Sequence, residues 1–395
     1  MDSETLRAWL IQEVAQRLKI KAADLDPRRP LSELGLSSEQ TIEIAAALEN
    51  RLGQRIGPEI LYDHPTLDAL LTALEAGGRA TPAGAAPVAA AEPIAIVGIG
   101  CRFPGAGVGP QALWRFLNAA GDAVSVVPAN RWRVAGAGDS GPSGETASAA
   151  QWGAFLPEVD RFDAGAFVIS PQEAAQMDPQ QRLLLEAAWH AIEDTGRAPA
   201  SLAGSRTGVF VGISQSEYLR DRFLRSEELT PNTPSGNALS IAANRISYTF
   251  DLRGPSLAVD TACSSSLMAV HLACQSLRRG ETDFALAGGV NVLMRPDVSV
   301  AFAQAGLMAA DGRCKAFDDS ADGYVRGEGV GLIALKRLAD ALADGDEIYA
   351  QILGIATIQD GHSNGLMAPR GSAQEAAIEA ACADAGVSPA DIGYF

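Results

Sequence analysis

The chain has 395 residues, 47% of them hydrophobic and 20% charged, with 40 glycines and 21 prolines. That exceeds what one hydrophobic core normally accommodates, so more than one domain is expected, and the composition is that of a globular α/β protein rather than a disordered chain. A formal net charge of −17 argues against nucleic-acid binding, since that affinity is built from lysine and arginine set against phosphates.

In chain order, Leu6, Leu10, Val14 and Leu18 recur every four residues and predict a first amphipathic helix. Ile42, Ala45, Leu48 and Leu52 predict a second, closed by Gly53, and Leu67, Leu70, Leu71 and Leu74 a third, opened by Pro65. Residues 77–91, GGRATPAGAAPVAAA, break this periodicity and read as a tether. Residues 1–76 are therefore expected to form a small helical bundle of their own.

Beyond the tether the pattern changes to short apolar strands alternating with helices: 94–100, 207–213, 256–260, 284–290, 329–338 and 348–358, with helices such as 181–196 and 373–386 between them. This alternation predicts a layered α/β body over 92–395, and Ile392–Phe395 looks like the start of one more strand. Cys101, Cys263, Cys274, Cys314 and Cys382 show no CxxC spacing, and no uninterrupted apolar run reaches the ~18 residues of a membrane-spanning helix. A reduced, cytoplasmic protein without a membrane span is the expectation.

Two residues stand out chemically. Ser37 and Ser38 immediately precede the second helix, where a serine ordinarily serves as an N-cap. Cys263 lies where the strand 256–260 turns into a helix marked by Leu267, Val270, His271, Cys274 and Leu277. A helix N-terminus favours thiolate over thiol, and the small residues Ala262, Ser264, Ser265 and Ser266 leave room for a substrate and for amides facing an oxyanion. On these grounds Cys263 is either a nucleophile or a buried filler, and filler is the expectation for the other four cysteines.

Gly98 and Gly100 do not complete a dinucleotide fingerprint, because Phe103 stands at the third glycine position, and are expected in a close turn. Gly327, Gly329 and Gly331 lack the Lys-Ser/Thr of a phosphate loop and read as a tight backbone approach near the active site.

The first 76 residues resemble an acyl carrier protein of the polyketide type, in the segments LSELGLSSEQTIEIAAALENRLGQRI and LYDHPTLDALLTAL. The resemblance implies a four-helix bundle in which Ser38 carries 4′-phosphopantetheine, although Ser37 and Glu39 replace the usual Asp and Leu around it. It also implies a phosphopantetheinyl transferase and an acyl-adenylate ligase or other synthase modules as partners, met through the acidic face of Glu39, Glu43 and Glu49.

VDTACSSSL resembles the active-site signature of β-ketoacyl synthases, as found in modular polyketide synthases, and EPIAIVGIGCRFPGA, MDPQQRLLLEAAWHAIEDTG, GRCKAFDDSADGYVRGEGVG and DGHSNGLMAPRG agree in order. The resemblance implies a thiolase fold, a five-layer α/β/α/β/α sandwich, usually a homodimer. It implies an acyltransferase in which Cys263 accepts an acyl chain for decarboxylative condensation with a malonyl-type thioester.

The family's catalytic histidines have no counterpart among His64, His190, His271 and His362. The expectation is an incomplete sandwich whose second half is mostly missing, with one apolar sheet face uncovered and chemistry that stops at acylation. The alternative function is a non-condensing acyl carrier and docking protein; a third, a hydrolase using Cys263, would release the acyl group to water.

Overall fold

The computed structural model describes residues 3–29, 31–34, 38–53, 60, 61, 64, 66–75, 92–132, 149–224, 229–363 and 365–395. The expected tether 77–91, Pro65 and Ser37 lie outside them. The chain divides into two compact units, residues 1–91 with 354–395 and residues 92–353.

In the first unit, helices α1 (Ser3–Leu18), α2 (Ser38–Leu52) and α3 (Leu67–Glu75) bury one apolar set. Leu10, Val14, Ile44, Leu48, Leu67 and Leu70 are fully excluded from solvent, as the fourfold leucine spacing dictates. Gly53 follows α2 with φ +64°, a left-handed conformation that glycine adopts without the cost a Cβ would bring.

The second unit is built on a seven-stranded mixed sheet. Its strands are β1 (Ile94–Phe103), β2 (Gly107–Val108), β3 (Thr207–Gly212), β4 (Ser256–Val259), β5 (Phe284–Asn291), β6 (Gly329–Arg337) and β7 (Ala350–Ile352). The order is β2-β1-β6-β5-β3-β4, with β7 also pairing with β1. β3 runs parallel to β4 and β5, whereas β6 is antiparallel to both its neighbours. Every residue of β3 is buried, which accounts for its unbroken apolar run.

Helices α4 (Pro179–Asp194) and α5 (Leu239–Phe250) pack together and against the sheet. A Cβ at Gly98 would lie 2.4 Å from Ala191 O, and one at Gly100 would lie 2.0 Å from Ala187 O. These glycines therefore sit inside β1, under α4, and not in the turn expected for them. Helix α6 (Ser265–Arg278) covers β3 and β5. The expected bare sheet face is thus absent over these strands. The chain's own crossover helix occupies it, leaving Leu267 of α6, 69% exposed, on the outer surface.

The expected strand over 348–358 is present only as Ala350–Ile352. Beyond it, the amide of Ile355 donates to Asp384 Oδ2 (2.8 Å), so a side chain takes the hydrogen bond a ladder would have used. Ile392–Phe395 is also not a strand; a capping box between Ser388 and Asp391 precedes it.

Asp178 caps α4, accepting from the amide of Gln180 (2.9 Å) and the hydroxyl of Ser216 (3.3 Å). Burial dominates, and its carboxyl is pushed up to about 6. The same group titrates near 4 when unfolded, so the folded state binds the proton more tightly. Its contribution to stability is complete below about pH 4 and is lost as pH rises towards about 6, on the order of 3 kcal/mol in all. Asp178→Asn is expected to gain about that much over the parent between pH 4 and pH 7 in paired urea melts. A difference that stays constant over this range would contradict the assignment.

Candidate active site

β4 leads into a turn at Asp260–Ala262, a single 3-10 turn at Ala262–Ser264, and then α6. Ala262 has φ +54°, in the left-handed region that costs a residue with a Cβ about 1 kcal/mol. Side chains hold this elbow. Asp260 Oδ1 accepts from the Ala262 amide (3.0 Å), and Ser265 Oγ accepts from the Thr261 amide (2.9 Å) while donating to Ala262 O (2.6 Å). Ser264 Oγ donates to Thr261 O (2.9 Å), and the Ser214 hydroxyl lies 3.2 Å from that of Ser265.

The result is an exposed Cys263 two residues before the first turn of a 14-residue helix, whose dipole places positive potential at this end. Two glycines make this placement possible. A Cβ on Gly212 would come within 2.5 Å of Ser265 C and Ser266 N, and one on Gly289 within 3.0 Å of Ser266 Cβ. The start of α6 lies directly on the sheet.

Cys263 opens onto a cavity of about 620 Å³. Phe103, Phe302 and Val298 supply apolar walls, Tyr324 and Arg326 polar ones, and Gly327, Gly329 and Gly331 form a flat side, in line with the close backbone approach read from the sequence. Burial raises the pKa of the Tyr324 hydroxyl; the nearby Arg326 opposes this and Cys263 adds to it. Behind this wall, Glu328 accepts from the amides of Leu156 (2.7 Å) and Leu293 (2.9 Å) and from Arg131 Nη2 (3.0 Å). Its oxygens are committed to scaffolding, and burial pushes its carboxyl up.

Cys101, Cys274 and Cys382 are buried, and burial pushes the Cys101 thiol up. Cys314 departs from the filler expectation. It is exposed, in a loop with Lys315 at φ +35° and Phe317 at φ +63°, and its Sγ accepts from the Val325 amide (3.3 Å).

Among the described residues, no histidine lines the cavity. His190 is half-exposed on α4 beside Glu193 (3.7 Å), and His271 is on α6, two turns past Cys263. Ser38 is the first residue of α2, though its side chain lies outside the described residues. A hydroxyl residue opening a 15-residue helix fits a phosphodiester, which the helix's positive end favours.

Sequence reading missed Ser214, Tyr324 and Arg326, and took Ser265 only as a small residue rather than as the side chain that holds the elbow. Tyr324 and Arg326 lie within GRCKAFDDSADGYVRGEGVG, but no local signal marks which of its side chains face a cavity.

Three family models match successive stretches of the chain. Residues 91–341 match the β-ketoacyl synthase N-terminal domain, 349–395 its C-terminal domain, and 8–74 a phosphopantetheine attachment site. A phenolphthiocerol/phthiocerol polyketide synthase protein of Mycobacterium bovis is 47% identical over 98% of this chain, which covers 21% of that protein. A spectinabilin polyketide synthase system protein of Streptomyces orinoci is 46% identical over 94% of the chain and 17% of its own length.

Among solved structures, a ketosynthase from module 6 of the bacillaene synthase of Bacillus subtilis aligns with a TM-score of 0.70 and 39% identity, covering 77% of this chain and 50% of that one. An oxazolomycin ketosynthase domain of Streptomyces albus aligns with 0.70, 40%, 77% and 52%. The chain thus spans about a fifth of these synthase proteins and about half of these ketosynthases. It belongs to the β-ketoacyl synthase family of modular polyketide synthases, with a phosphopantetheine attachment region ahead of the thiolase-like body.

Proposed function

We propose that residues 1–76 carry acyl groups through Ser38, that 77–91 tether them, and that 92–395 form a condensing acyltransferase portion in which Cys263 accepts the acyl chain. When bound, the phosphopantetheine arm supplies the thiol that holds an acyl group as a thioester. The observation that carries the reading is the exposed thiol at a helix N-terminus, opening on a cavity with apolar walls.

In the transfer, Cys263 Sγ attacks the carbonyl carbon of an acyl thioester. A new C–S bond forms, the old one breaks, and the departing thiol leaves with the proton, so one thioester replaces another. The positive end of α6 favours the charge that develops on the carbonyl oxygen. The second stage, condensation with a malonyl-type thioester, calls on groups that stabilise an enolate, and among the described residues no histidine lines this cavity.

That observation favours a second reading, a non-condensing carrier and docking protein. The two part on product. The full chain, treated with phosphopantetheinyl transferase, an acyl thioester and malonyl thioester, is expected to take one phosphopantetheinyl group, abolished by Ser38→Ala, and to acylate Cys263. Release of a 3-oxoacyl product would overturn the non-condensing reading, lack of any acyl-cysteine would overturn the condensing one, and lack of a phosphopantetheinyl group on Ser38 would overturn both.

A reducing compartment such as the cytoplasm suits the five free cysteines. Partners are the transferase, synthase modules or an acyl-adenylate ligase. A homodimer is supported by edge strand β4, paired on one side only among the described residues, with Leu257 45% exposed. A monomeric mass in sedimentation would sink it.

A further inference from the structure

We propose that Tyr324 is a catalytic residue of acyl transfer, its hydroxyl donating a hydrogen bond to the sulfur that departs when Cys263 takes the acyl chain. The proposal deepens the acyl-accepting reading and rests on it.

Tyr324 and Cys263 line the same cavity, from segments far apart in the chain. The backbone fixes where the tyrosine side chain starts. The Tyr324 amide donates to Leu307 O, and its carbonyl accepts from the Ala309 amide, both at 3.0 Å. A Cβ on the preceding Gly323 would lie 2.5 Å from the Ala309 nitrogen, so this segment is pressed against 307–309. The ring then rests beside Phe302, another residue of the cavity wall, with centroids 6.3 Å apart.

The far end of the side chain is free. The Tyr324 hydroxyl has no hydrogen-bond partner among the described residues, and it is not one of their buried unpaired atoms, so it opens to solvent from a partly buried residue. In a residue of the cavity wall, that opening is the cavity. Cys263 is close enough for its negative charge to act on this hydroxyl; burial and that charge hold the proton in place, and Arg326 opposes them. At neutral pH the group is therefore a donor and not a base.

Other polar groups in the lining are committed. Ser265 donates to Ala262 O (2.6 Å), Asn291 Nδ2 to Gly327 O (2.7 Å) and Arg326 Nη1 to Ser299 Oγ (2.9 Å). Charge on the carbonyl oxygen is met by the positive end of α6. The reaction develops a second negative charge, on the departing sulfur, and the Tyr324 hydroxyl is an uncommitted donor that can meet it. In that step Cys263 gives its proton to water, its bond to the carbonyl carbon forms and the old C–S bond breaks. The electron pair stays on the departing sulfur, which is stabilised by the tyrosine hydrogen bond and takes a proton from water.

The test compares the full chain with its Tyr324→Phe variant. Each is given one acyl group on two leaving groups: pantetheine, an alkyl thiol, and thiophenol, whose thiolate spreads its charge into the ring and leaves unaided. Loading of Cys263 is followed by mass spectrometry, as maximal rate and half-saturating concentration. Tyr324→Phe keeps the ring, its contact with Phe302 and both backbone hydrogen bonds, so its melting temperature should match the parent's.

The variant is expected to load from the pantetheine ester at least about tenfold more slowly at saturation, because a hydrogen bond to a charged group is lost. Its rate with the phenyl ester should stay within about twofold of the parent's. Equal slowing of both esters would assign Tyr324 to pocket shape or to the carbonyl oxygen and overturn the proposal, as would an unchanged rate with the pantetheine ester. A parent chain that loads from neither ester would instead overturn the acyl-accepting reading itself.

Discussion

Replacing Cys263 by alanine is expected to lower acyl transfer to residues 92–395 by at least about a thousandfold, because among the described residues no other thiol opens on this cavity. The loss should be chemical rather than structural. Cys263 is exposed, and the elbow around it is held by Asp260, Thr261, Ser264 and Ser265. The melting temperature of Cys263→Ala should therefore match the parent's. Ser265→Ala should behave differently. It keeps the thiol but removes the hydroxyl that joins the Thr261 amide to Ala262 O, leaving the partly buried Thr261 amide short of a partner while Ala262 O keeps the Ser265 amide. That absence is worth about 1 to 3 kcal/mol. Loading about tenfold slower, together with a lower melting temperature, is the expected result. A Cys263→Ala chain that loads at the parent's rate would place the acyl acceptor elsewhere.

Gly212→Val is expected to have the largest effect on stability. The first added carbon alone falls 2.5 Å from Ser265 C and Ser266 N and 2.8 Å from Ser265 O. These are backbone atoms, so no rotamer change can relieve the contact, and the start of α6 must lift from β3. β3 is buried along its whole length, which spreads the disturbance through the core. A loss of more than about 3 kcal/mol is expected, and a fall in melting temperature of roughly 6 to 12 °C. Any folded fraction should also load Cys263 poorly, because the elbow moves with the helix. Gly371→Ala is the matched control: a Cβ there meets nothing within 4 Å, and a change below about 1 kcal/mol is expected. Equal melting temperatures for the two variants would contradict the close packing of α6 on the sheet.

Much of the fold was legible because the signals are local. Strands such as TGVFVG are buried on both faces and therefore read as continuous apolar runs, and the leucine spacing of α1 and α3 follows from one buried helical face. Cys263 stood out because strand, small residues and helix are consecutive in the chain.

What failed locally is also physical. The run 348–358 has the composition of one strand, but a Cβ on Gly354 would lie 2.3 Å from Ala381 O, so the chain there packs on the helix Gly371–Ala385 and leaves the ladder. Cys314 looked like filler in an apolar chain, whereas the left-handed residues Lys315 and Phe317 turn its loop outward. Tyr324 and Cys263 come to one cavity from segments far apart in sequence, and no spacing rule connects them.

The central claim is that Cys263 is the acyl-accepting nucleophile, and the chain holds a fair competitor for it in Cys314, the other exposed cysteine. Peptide mapping of the full chain after brief treatment with an acyl pantetheine thioester tests the claim most directly. One acyl group on the peptide containing Cys263, with Cys314 free, is the predicted result. Equal labelling of both cysteines, or label on Cys314 alone, would contradict it.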